Sequence, residues 1–249
     1  MSSLKDKVIV VTGAASGIGQ AAAFCCAAGG GKIVAADIDE AGLGRTAARI
    51  GADGGNATTV RVDIANEAQV RRVMETAMET HGRIDALINC AGVLEGPFVS
   101  LDEFEETTWD RVIDINLKGS FFAAKHAATF MKRQGGGVII LIASGAGVHG
   151  GSSSVAYGSS KGGVHGLSLV LAGQLAASGI RVHAVCPGGI STPLKLSVIA
   201  AEARLSGKTE SQALQEASQY LGDPEGVGRI LAFLASPDAD YVRGTVSTR

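Results

Sequence analysis

The sequence predicts an α/β fold built on a doubly wound parallel sheet. Short apolar, β-branched runs alternate with longer segments of helical character along the 249 residues. The strand runs lack a polar/apolar alternation, which is typical of parallel strands buried on both faces. Regular alternation with helices favours a sheet covered by helices on both sides. No break in this pattern favours a second domain, so we expect one domain over residues 1–249.

The first strand leads directly into a glycine-rich turn. Residues 8–11 are apolar, and Thr-Gly-Ala-Ala-Ser-Gly-Ile-Gly follows, before an alanine-rich helix predicted over 18–28. This order brings backbone N–H groups and the positive end of a helix to one point, which suits a pyrophosphate. The spacing G-x-x-x-G-x-G differs from G-x-G-x-x-G. Glycines that only permit a tight turn are the alternative.

The second predicted strand, residues 32–36, ends at Asp37. A carboxylate at this place accepts hydrogen bonds from a ribose 2′-OH and repels a 2′-phosphate. The glycine turn contains no Arg or Lys, and Ile38 occupies the position at which a 2′-phosphate site would require a cation. We therefore expect NAD rather than NADP. The alternative is that Asp37 only caps the helix predicted over 39–50.

The remaining segments continue the alternation. Further strands are predicted over 58–62, 86–88, 138–142 and 179–185, and one more starts within 244–249. Further helices are predicted over 66–81, over 101–131 as one long or slightly broken helix, from 155 with a serine-rich cap, and over 224–235. We expect the segment at about 193–221 to form a lid over a pocket, with simple surface helices as the alternative.

Tyr157 and Lys161 lie four residues apart in the helix that begins near residue 155. This spacing puts a phenol and an ammonium on one helical face. Moving a tyrosine pKa from about 10 to about 7 requires roughly 4 kcal/mol. One positive charge at about 4 Å supplies a similar amount at an effective dielectric near 20, while burial acts in the opposite direction. The pair is thus a candidate general acid or base, with a chance surface pairing as the alternative.

Composition limits the classes of function. Lys and Arg total 22 against 24 Asp and Glu, a formal net charge of −2, so there is no electrostatic case for nucleic acid or an anionic membrane. The polar start predicts no signal peptide, and no apolar run could span a bilayer. The four cysteines lack metal-site spacing, so we expect neither a metal nor disulfides. A cytoplasmic protein is the resulting expectation.

Several motifs, in this order and at these separations, resemble the short-chain dehydrogenase/reductase family in its single-domain form. The resemblance covers essentially the whole chain and rests on T-G-A-A-S-G-I-G from Thr12, N-C-A-G from Asn89, N-L-K-G from Asn116, Ser144, Y-G-S-S-K from Tyr157, P-G-G-I-S-T from Pro187 and F-L-A-S-P-D-A-D-Y-V-R-G from Phe233. It implies a Rossmann-like sheet of about seven strands in the order 3-2-1-4-5-6-7, and an NAD-dependent oxidoreductase that interconverts a secondary alcohol and a ketone.

The resemblance also implies a catalytic set of four residues. Tyr157 would exchange a proton with the substrate oxygen, and Ser144 would orient that oxygen. Lys161 would lower the phenol pKa and hold the nicotinamide ribose, while Asn116 would secure a water of the proton relay. Hydride would pass between the substrate carbon and nicotinamide C4.

The cofactor-binding set spans the strand ends. Within it, Asp63 and Ile64 match adenine contacts of the family, and the turn at Gly188 with Thr192 resembles the part that grips the nicotinamide amide. The full set is Gly13, Ser16, Gly17, Ile18, Gly19, Asp37, Asp63, Ile64, Asn89, Ala91, Gly92, Tyr157, Lys161, Pro187, Gly188, Ile190 and Thr192.

Two departures from the family pattern stand out. Cys90 replaces the second Asn of an Asn-Asn-Ala-Gly motif, a small neutral change that we expect to be tolerated. Relatives usually continue beyond the last glycine into a Val-Asp-Gly-Gly tail, which this sequence lacks.

The predicted pocket walls are mostly apolar, which suits a small neutral alcohol or ketone better than a phosphorylated sugar. They are Val93, Leu94, Glu95, Ala146, Val148, His149 and the lid from Leu194. His149 is more simply a solvated loop residue than a participant. A homodimer or homotetramer is implied by resemblance, through helix faces that include Ala123, Ala124, Ala127, Gly166, Leu169 and Gly173.

Two other functions stay open from the sequence. A 3-oxoacyl-thioester reductase acting on an acyl carrier protein shares these motifs, although Asp37 argues against the NADP that such an enzyme more often uses. A catalytically silent NAD-binding protein is the second. It would have no need to keep all four polar residues of the catalytic set.

Overall fold

A computed structural model describes residues 3–248; Met1, Ser2 and Arg249 lie outside the described residues. Seven parallel strands form one sheet in the order β3-β2-β1-β4-β5-β6-β7, as the resemblance implied. The strands are β1 (Val8–Thr12), β2 (Lys32–Asp37), β3 (Asn56–Arg61), β4 (Ala86–Asn89), β5 (Gly137–Ile142), β6 (Ile180–Cys186) and β7 (Gly244–Ser247). The predicted final strand thus forms over Gly244–Ser247, and Arg249 of the expected range lies outside the described residues.

Ten α-helices connect or cover these strands within the described residues. They are α1 (Gly17–Ala28), α2 (Glu40–Ala52), α3 (Glu67–His81), α4 (Glu106–Ile113), α5 (Gly119–Gln134), α6 (Gly145–Val148), α7 (Val155–Leu175), α8 (Pro193–Ser206), α9 (Glu210–Ala217) and α10 (Pro224–Ala235). None of them, within residues 3–248, has the length and apolar character needed to cross a membrane.

The helices cover both faces of the sheet, and β1 shows how. Val8 and Val10 pack into a core layer with α3, α5 and α7, whereas Ile9 and Val11 pack into the opposite layer with α1, α2 and α10. Alternate side chains of a strand point to opposite faces, so a strand buried on both faces must be apolar at every position. This is the physical reason that the central strands show no alternation in sequence.

The helix expected over 101–131 is divided. A 3₁₀ turn (Leu101–Glu103) precedes α4, and a π-helical stretch (Asp114–Lys118) joins α4 to α5. The π-helical stretch contains Asn116, the mid-helix asparagine that helix propensity disfavours. Single π-helical turns inside α-helices are frequent at functional sites.

Part of the expected subunit interface is instead core. Ala123, Ala124 and Ala127 of α5 are buried against the sheet at 0–1 % exposure, so they cannot meet another subunit. These three alanines belong to the apolar face of α5, and that face packs on the strands. Gly166, Leu169 and Gly173 of α7 are exposed.

Candidate active site

A cleft of about 1010 Å³ lies at the carboxyl edge of the sheet. Its walls come from the segments that follow β1 to β6, from the first turn of α1, and from α7 and α8. The carboxyl ends of parallel strands meet at one edge, and ligands of open α/β sheets bind there. Strand order therefore brings sequence-distant segments to the same cleft.

The glycine turn is pressed against neighbouring backbone. A Cβ atom on Gly13 would lie 2.7 Å from the Ala91 nitrogen, and one on Gly19 would lie 2.1 Å from the Gly13 oxygen. Gly13 and Gly17 also have φ angles of 67° and 55°, which glycine adopts without cost. The turn consequently needs glycine for its geometry, and the same geometry leaves the backbone open to the cleft.

The N-terminus of α1 faces this cleft without a side-chain cap. Ser16 is the N-cap residue but accepts no capping hydrogen bond, and the first turn contains no acidic residue. The N–H groups of a first helical turn lack partners inside the helix and carry partial positive charge. These observations fit the pyrophosphate of a dinucleotide, which such an N-terminus binds.

Asp37 ends β2 at the rim of the cleft. Its Oδ2 accepts a hydrogen bond from the Ala15 nitrogen at 3.0 Å, and its Oδ1 accepts one from the Asp39 nitrogen at 3.0 Å. The N-cap of α2 is Asp39, whose Oδ1 accepts from the Gly42 nitrogen at 3.0 Å. The alternative that Asp37 caps the helix α2 is therefore wrong. Its two bonds fix the carboxylate beside the glycine turn and leave further lone pairs free for a ribose.

Asn89 differs from its expected role. It is buried behind the cleft, where its Oδ1 accepts from the Thr12 hydroxyl at 2.8 Å and its Nδ2 donates to the Ser120 hydroxyl at 2.9 Å. The Thr12 hydroxyl is in turn 3.3 Å from the Ala91 nitrogen. The side chain of Asn89 thus joins β1, β4 and α5 and supports the backbone that lines the cleft, without lining it.

Asn116 is also fully buried behind the cleft wall. Its Oδ1 accepts from the Val93 nitrogen at 2.8 Å, and its Nδ2 donates to the Val93 oxygen at 2.9 Å and to the Ser160 hydroxyl at 2.9 Å. One amide side chain therefore pairs with the segment after β4 and with α7. The π-helical turn aims this side chain inward, which accounts for an asparagine in a poor position for a helix.

Tyr157 and Lys161 line the cleft from α7, and Ser144 lines it from the end of β5. Ser154, the N-cap of α7, accepts a hydrogen bond from the Tyr157 nitrogen and so fixes the turn that carries the phenol. The Lys161 Nζ lies 5.8 Å from the centre of the Tyr157 ring. It donates a 2.8 Å hydrogen bond to the Ile142 oxygen at the end of β5.

The pKa values at this site depart from the sequence-based expectation. Burial raises the pKa of Tyr157, and a hydrogen bond with Ser144 offsets only part of that rise. Burial lowers the pKa of Lys161 to about 8. The expected depression of the phenol pKa by the ammonium is therefore not found, because desolvation of the phenol outweighs it.

The cleft is lined by every predicted site residue except Asn89 and Asn116. Of the predicted walls, Val93, Leu94 and Ala146 line it, whereas Glu95, Val148 and His149 do not. Glu95 instead pairs with Arg111 at 2.7 Å. Cys90 lines the cleft, and burial raises its thiol pKa to about 12, so it is neutral at physiological pH.

Sequence reasoning missed several residues of the cleft. Among them are Phe98, Arg111 and Ser152, whereas Lys195, Val198 and Glu202 of α8 lie in the segment from Leu194 that was expected as a wall. The three α8 residues recur at i, i+3 and i+7, which is the spacing of one helical face. This spacing lies within the segment expected to form a lid, and it predicts that one face of a helix there lines the cleft.

The start of α8 lies directly over the glycine turn. The Cγ2 atom of Thr192 would be 3.3 Å from a Cβ atom on Gly17. Thr192 is also the N-cap of α8 and accepts from the Lys195 nitrogen at 3.2 Å. Two helix N-termini, those of α1 and α8, therefore converge on the same end of the cleft.

Comparisons with known proteins agree with this arrangement. A family model described as short chain dehydrogenase matches residues 7–203. Cis-4-hydroxycyclohexanecarboxylate dehydrogenase of Sinomonas cyclohexanicum is 38% identical over 97% of this chain and 94% of its own. The 3-oxoacyl-(acyl-carrier-protein) reductase FabG of Thermotoga maritima is 35% identical over 98% of this chain and 96% of its own.

Among solved structures, a variant of actinorhodin polyketide ketoreductase with NADPH superimposes with a TM-score of 0.92. It is 28% identical and covers 100% of this chain and 97% of its own. The family match, the two relatives and the shared fold lead to one conclusion: this chain belongs to the short-chain dehydrogenase/reductase family.

Proposed function

We propose that this protein is an NAD-dependent oxidoreductase that interconverts a secondary alcohol and a ketone. The observation that carries the proposal is the meeting of Tyr157, Ser144 and Lys161 in one cleft with the uncapped N-terminus of α1. A proton donor and a dinucleotide site in one cleft are what transfer of a hydride and a proton requires.

A bound NADH would supply the hydride for ketone reduction, and the groups proposed to hold it are the glycine turn, Asp37 and Lys161. The Tyr157 hydroxyl supplies the proton to the carbonyl oxygen, and the Ser144 hydroxyl holds that oxygen in place. A raised phenol pKa keeps Tyr157 protonated at neutral pH, which is the form that donates. Alcohol oxidation reverses these steps and needs the phenolate, so it is favoured as pH rises.

Lys161 and Asn116 complete the proposed catalytic set. Lys161 places a cation beside the phenol and within the wall where the nicotinamide ribose is proposed to bind. Asn116 is proposed to hold a water of the proton relay, as in the family. All hydrogen bonds of the Asn116 side chain within the described residues go to Val93 and Ser160, so this side chain also positions the cleft wall.

The cofactor proposal rests on Asp37 and Ile38. The Asp37 carboxylate is fixed at the cleft rim, where it suits a ribose 2′-OH and repels a 2′-phosphate. Ile38 offers no cation to a phosphate and is 57% exposed. These features support NAD, although the actinorhodin polyketide ketoreductase structure carries NADPH.

Replacing Tyr157 with Phe tests the proposal. The variant loses the proton donor only, so turnover of a secondary alcohol or ketone should fall by roughly 10²–10⁴-fold. NAD affinity, measured by calorimetry, should stay close to that of the wild type. Tyr220→Phe is the matched control, because Tyr220 is 59% exposed and does not line the cleft. Turnover retained by Tyr157→Phe would remove Tyr157 from its proposed role.

A 3-oxoacyl-thioester reductase is the second candidate, favoured by the 35% identity to FabG of Thermotoga maritima. The two candidates separate on an acetoacetyl thioester. Fast reduction with NADPH and slow reduction with NADH would favour the thioester reductase. The reverse cofactor preference, with better rates on simple ketones, would favour the alcohol dehydrogenase. If the protein binds NAD tightly but turns over no member of a panel of alcohols and ketones, a silent NAD-binding protein would be favoured.

We also propose a homodimer or homotetramer, formed through the outer faces of α5 and α7. Phe121, Leu169 and Val170 are 44–57% exposed on these helices. Leu169 and Val170 are neighbours in α7, and contiguous exposed apolar surface marks interaction sites. Light scattering that shows only a monomer would refute this assembly.

A further inference from the structure

Phe98 has an unusual backbone conformation at the edge of the cleft. Its φ angle is 64°, and among the non-glycine residues that the structure describes only Asp6 shares a positive φ. Aspartate tolerates this region, because its short polar side chain bonds locally, whereas a bulky side chain crowds its own backbone there. Such conformations persist only where the surroundings enforce them, and they cluster at ligand sites.

Two hydrogen bonds hold the segment around Phe98 in place. The Phe98 nitrogen donates to the Ser153 oxygen at 2.7 Å, and the Ser154 hydroxyl donates to the Glu95 oxygen at 2.7 Å. Gly96 forms a tight turn at φ 62°, where a Cβ atom would lie 2.5 Å from the Phe104 ring. The segment that follows β4 is thus attached to the start of α7.

This attachment relates Phe98 to the proposed proton donor. Ser154 is the N-cap of α7, and its hydroxyl accepts from the Tyr157 nitrogen. The same hydroxyl donates to the segment that carries Phe98. The backbone of the segment that carries Phe98 and the turn that carries Tyr157 are therefore linked through one serine.

The Phe98 side chain lines the cleft and is 41% exposed. The fold thus maintains a strained conformation and leaves a large apolar ring open to the cavity. Leu94 and Val198 are further apolar side chains that line the same cleft. Covering apolar surface is favourable in proportion to its area. A substrate with a large apolar group would provide that cover.

We propose that Phe98 is a specificity-determining residue that contacts the apolar body of the substrate while Tyr157 and Ser144 hold its oxygen. The substrate class it selects is secondary alcohols and ketones that carry a hydrocarbon ring, in preference to small acyclic ones. This inference rests on the proposed oxidoreductase function.

The test compares 4-methylcyclohexanone with 2-butanone, each reduced with saturating NADH and, separately, NADPH. In Phe98→Ala and Phe98→Gly, KM for the cyclic ketone should rise about tenfold while kcat changes less than twofold. Both constants for 2-butanone should stay within about twofold. Phe98→Tyr keeps the ring and should behave as the wild type.

Phe98→Gly separates a lost contact from a folding defect. Glycine accepts a φ of 64°, so this variant should melt at or above the wild-type temperature and yet show the KM defect. Phe233→Ala is the matched control: Phe233 is 37% exposed and does not line the cleft, so its replacement should alter neither KM.

Two results would overturn the inference in different ways. If the Phe98 variants change KM for both ketones equally, or change KM for neither, Phe98 does not select the substrate and the oxidoreductase function stands. If the wild type reduces neither of these two ketones nor any other alcohol or ketone of a broad panel, with either cofactor, the proposed function fails and the inference fails with it.

Discussion

Lys161 holds its ammonium 5.8 Å from the centre of the Tyr157 ring and has no acidic partner among residues 3–248. Its nitrogen donates to the Ile142 oxygen and the residue is 5% exposed. A buried ammonium without a counter-ion is costly, and this cost appears as a pKa lowered to about 8. The proposed site is therefore maintained at the expense of stability.

Lys161→Met should be more stable than the wild type at pH 7. The depressed pKa corresponds to about 3 kcal/mol of destabilisation while the lysine is charged in the folded state, so a gain of about 1–3 kcal/mol is expected. Below pH 8 the lysine is charged in both states and the cost is fully present. Between pH 8 and 10.5 unfolding takes up a proton, so wild-type stability rises with pH.

Urea unfolding at several pH values measures this effect. The rise in unfolding free energy between pH 8 and 10.5 should be smaller in Lys161→Met than in the wild type. Lys5→Met is the control, since Lys5 is exposed and its replacement removes a solvated charge. Equal pH dependence in the wild type and Lys161→Met would show that Lys161 is not desolvated.

Asp37→Asn should shift the cofactor preference. The amide oxygen can still accept a backbone hydrogen bond at the place of Oδ2, but the charge that repels a 2′-phosphate is gone. We expect the ratio of kcat/KM for NADP to that for NAD to rise about 10-fold, since one close charge contributes on the order of 1–2 kcal/mol. Ile38→Arg, which adds a cation, should raise it further.

Steady-state rates with both cofactors measure this ratio. Asp53→Asn is a suitable control, because Asp53 is exposed at the C-terminus of α2 and does not line the cleft. An unchanged ratio in Asp37→Asn would place the adenosine ribose elsewhere.

Sequence-based reasoning succeeded where chain order determines position. Asp37 and Ser144 follow parallel strands, and parallel strands end at a common edge, so their convergence could be predicted without coordinates. The conformation of Phe98 depends on a hydrogen bond to Ser153 in a distant loop, which no local pattern reveals. The sign of the Tyr157 pKa shift depends on the balance between burial and the nearby positive charge. Helical spacing predicts only that the charge is near, whereas burial depends on the tertiary structure.

Gly19→Ala should disrupt the glycine turn. The added methyl group would lie 2.1 Å from the Gly13 oxygen, closer than van der Waals contact allows, and this neighbour is backbone. We expect a loss of several kcal/mol of stability, or failure to fold, as for other severe steric conflicts. Thermal unfolding and NAD binding by calorimetry measure the outcome.

Gly44→Ala is the matched variant within a helix. A Cβ atom on Gly44, in the exposed face of α2, meets no atom within 4 Å. This change should stabilise the protein by about 0.5–1 kcal/mol, because alanine is the better helix former. Wild-type stability in Gly19→Ala would show that the turn relaxes more freely than its contacts imply.

Lys195→Gln should weaken binding of the pyrophosphate portion of the cofactor. Lys195 lines the cleft in the first turn of α8, whose N-cap Thr192 lies over Gly17 of the glycine turn. Side chains of a helix tilt toward its N-terminus, so the ammonium is directed toward that turn. No ion pair among residues 3–248 involves Lys195.

Calorimetry with ADP-ribose and with adenosine isolates the charge effect, since only ADP-ribose carries the pyrophosphate. At low ionic strength Lys195→Gln should weaken ADP-ribose binding about fivefold, which corresponds to about 1 kcal/mol for a partly exposed pair, and leave adenosine binding unchanged. The difference should shrink in high salt, because screening shortens the range of the attraction. Lys208→Gln is the control, since Lys208 is exposed and pairs with Glu216 outside the cleft. Equal ADP-ribose affinity in Lys195→Gln and the wild type at low salt would direct Lys195 away from the pyrophosphate.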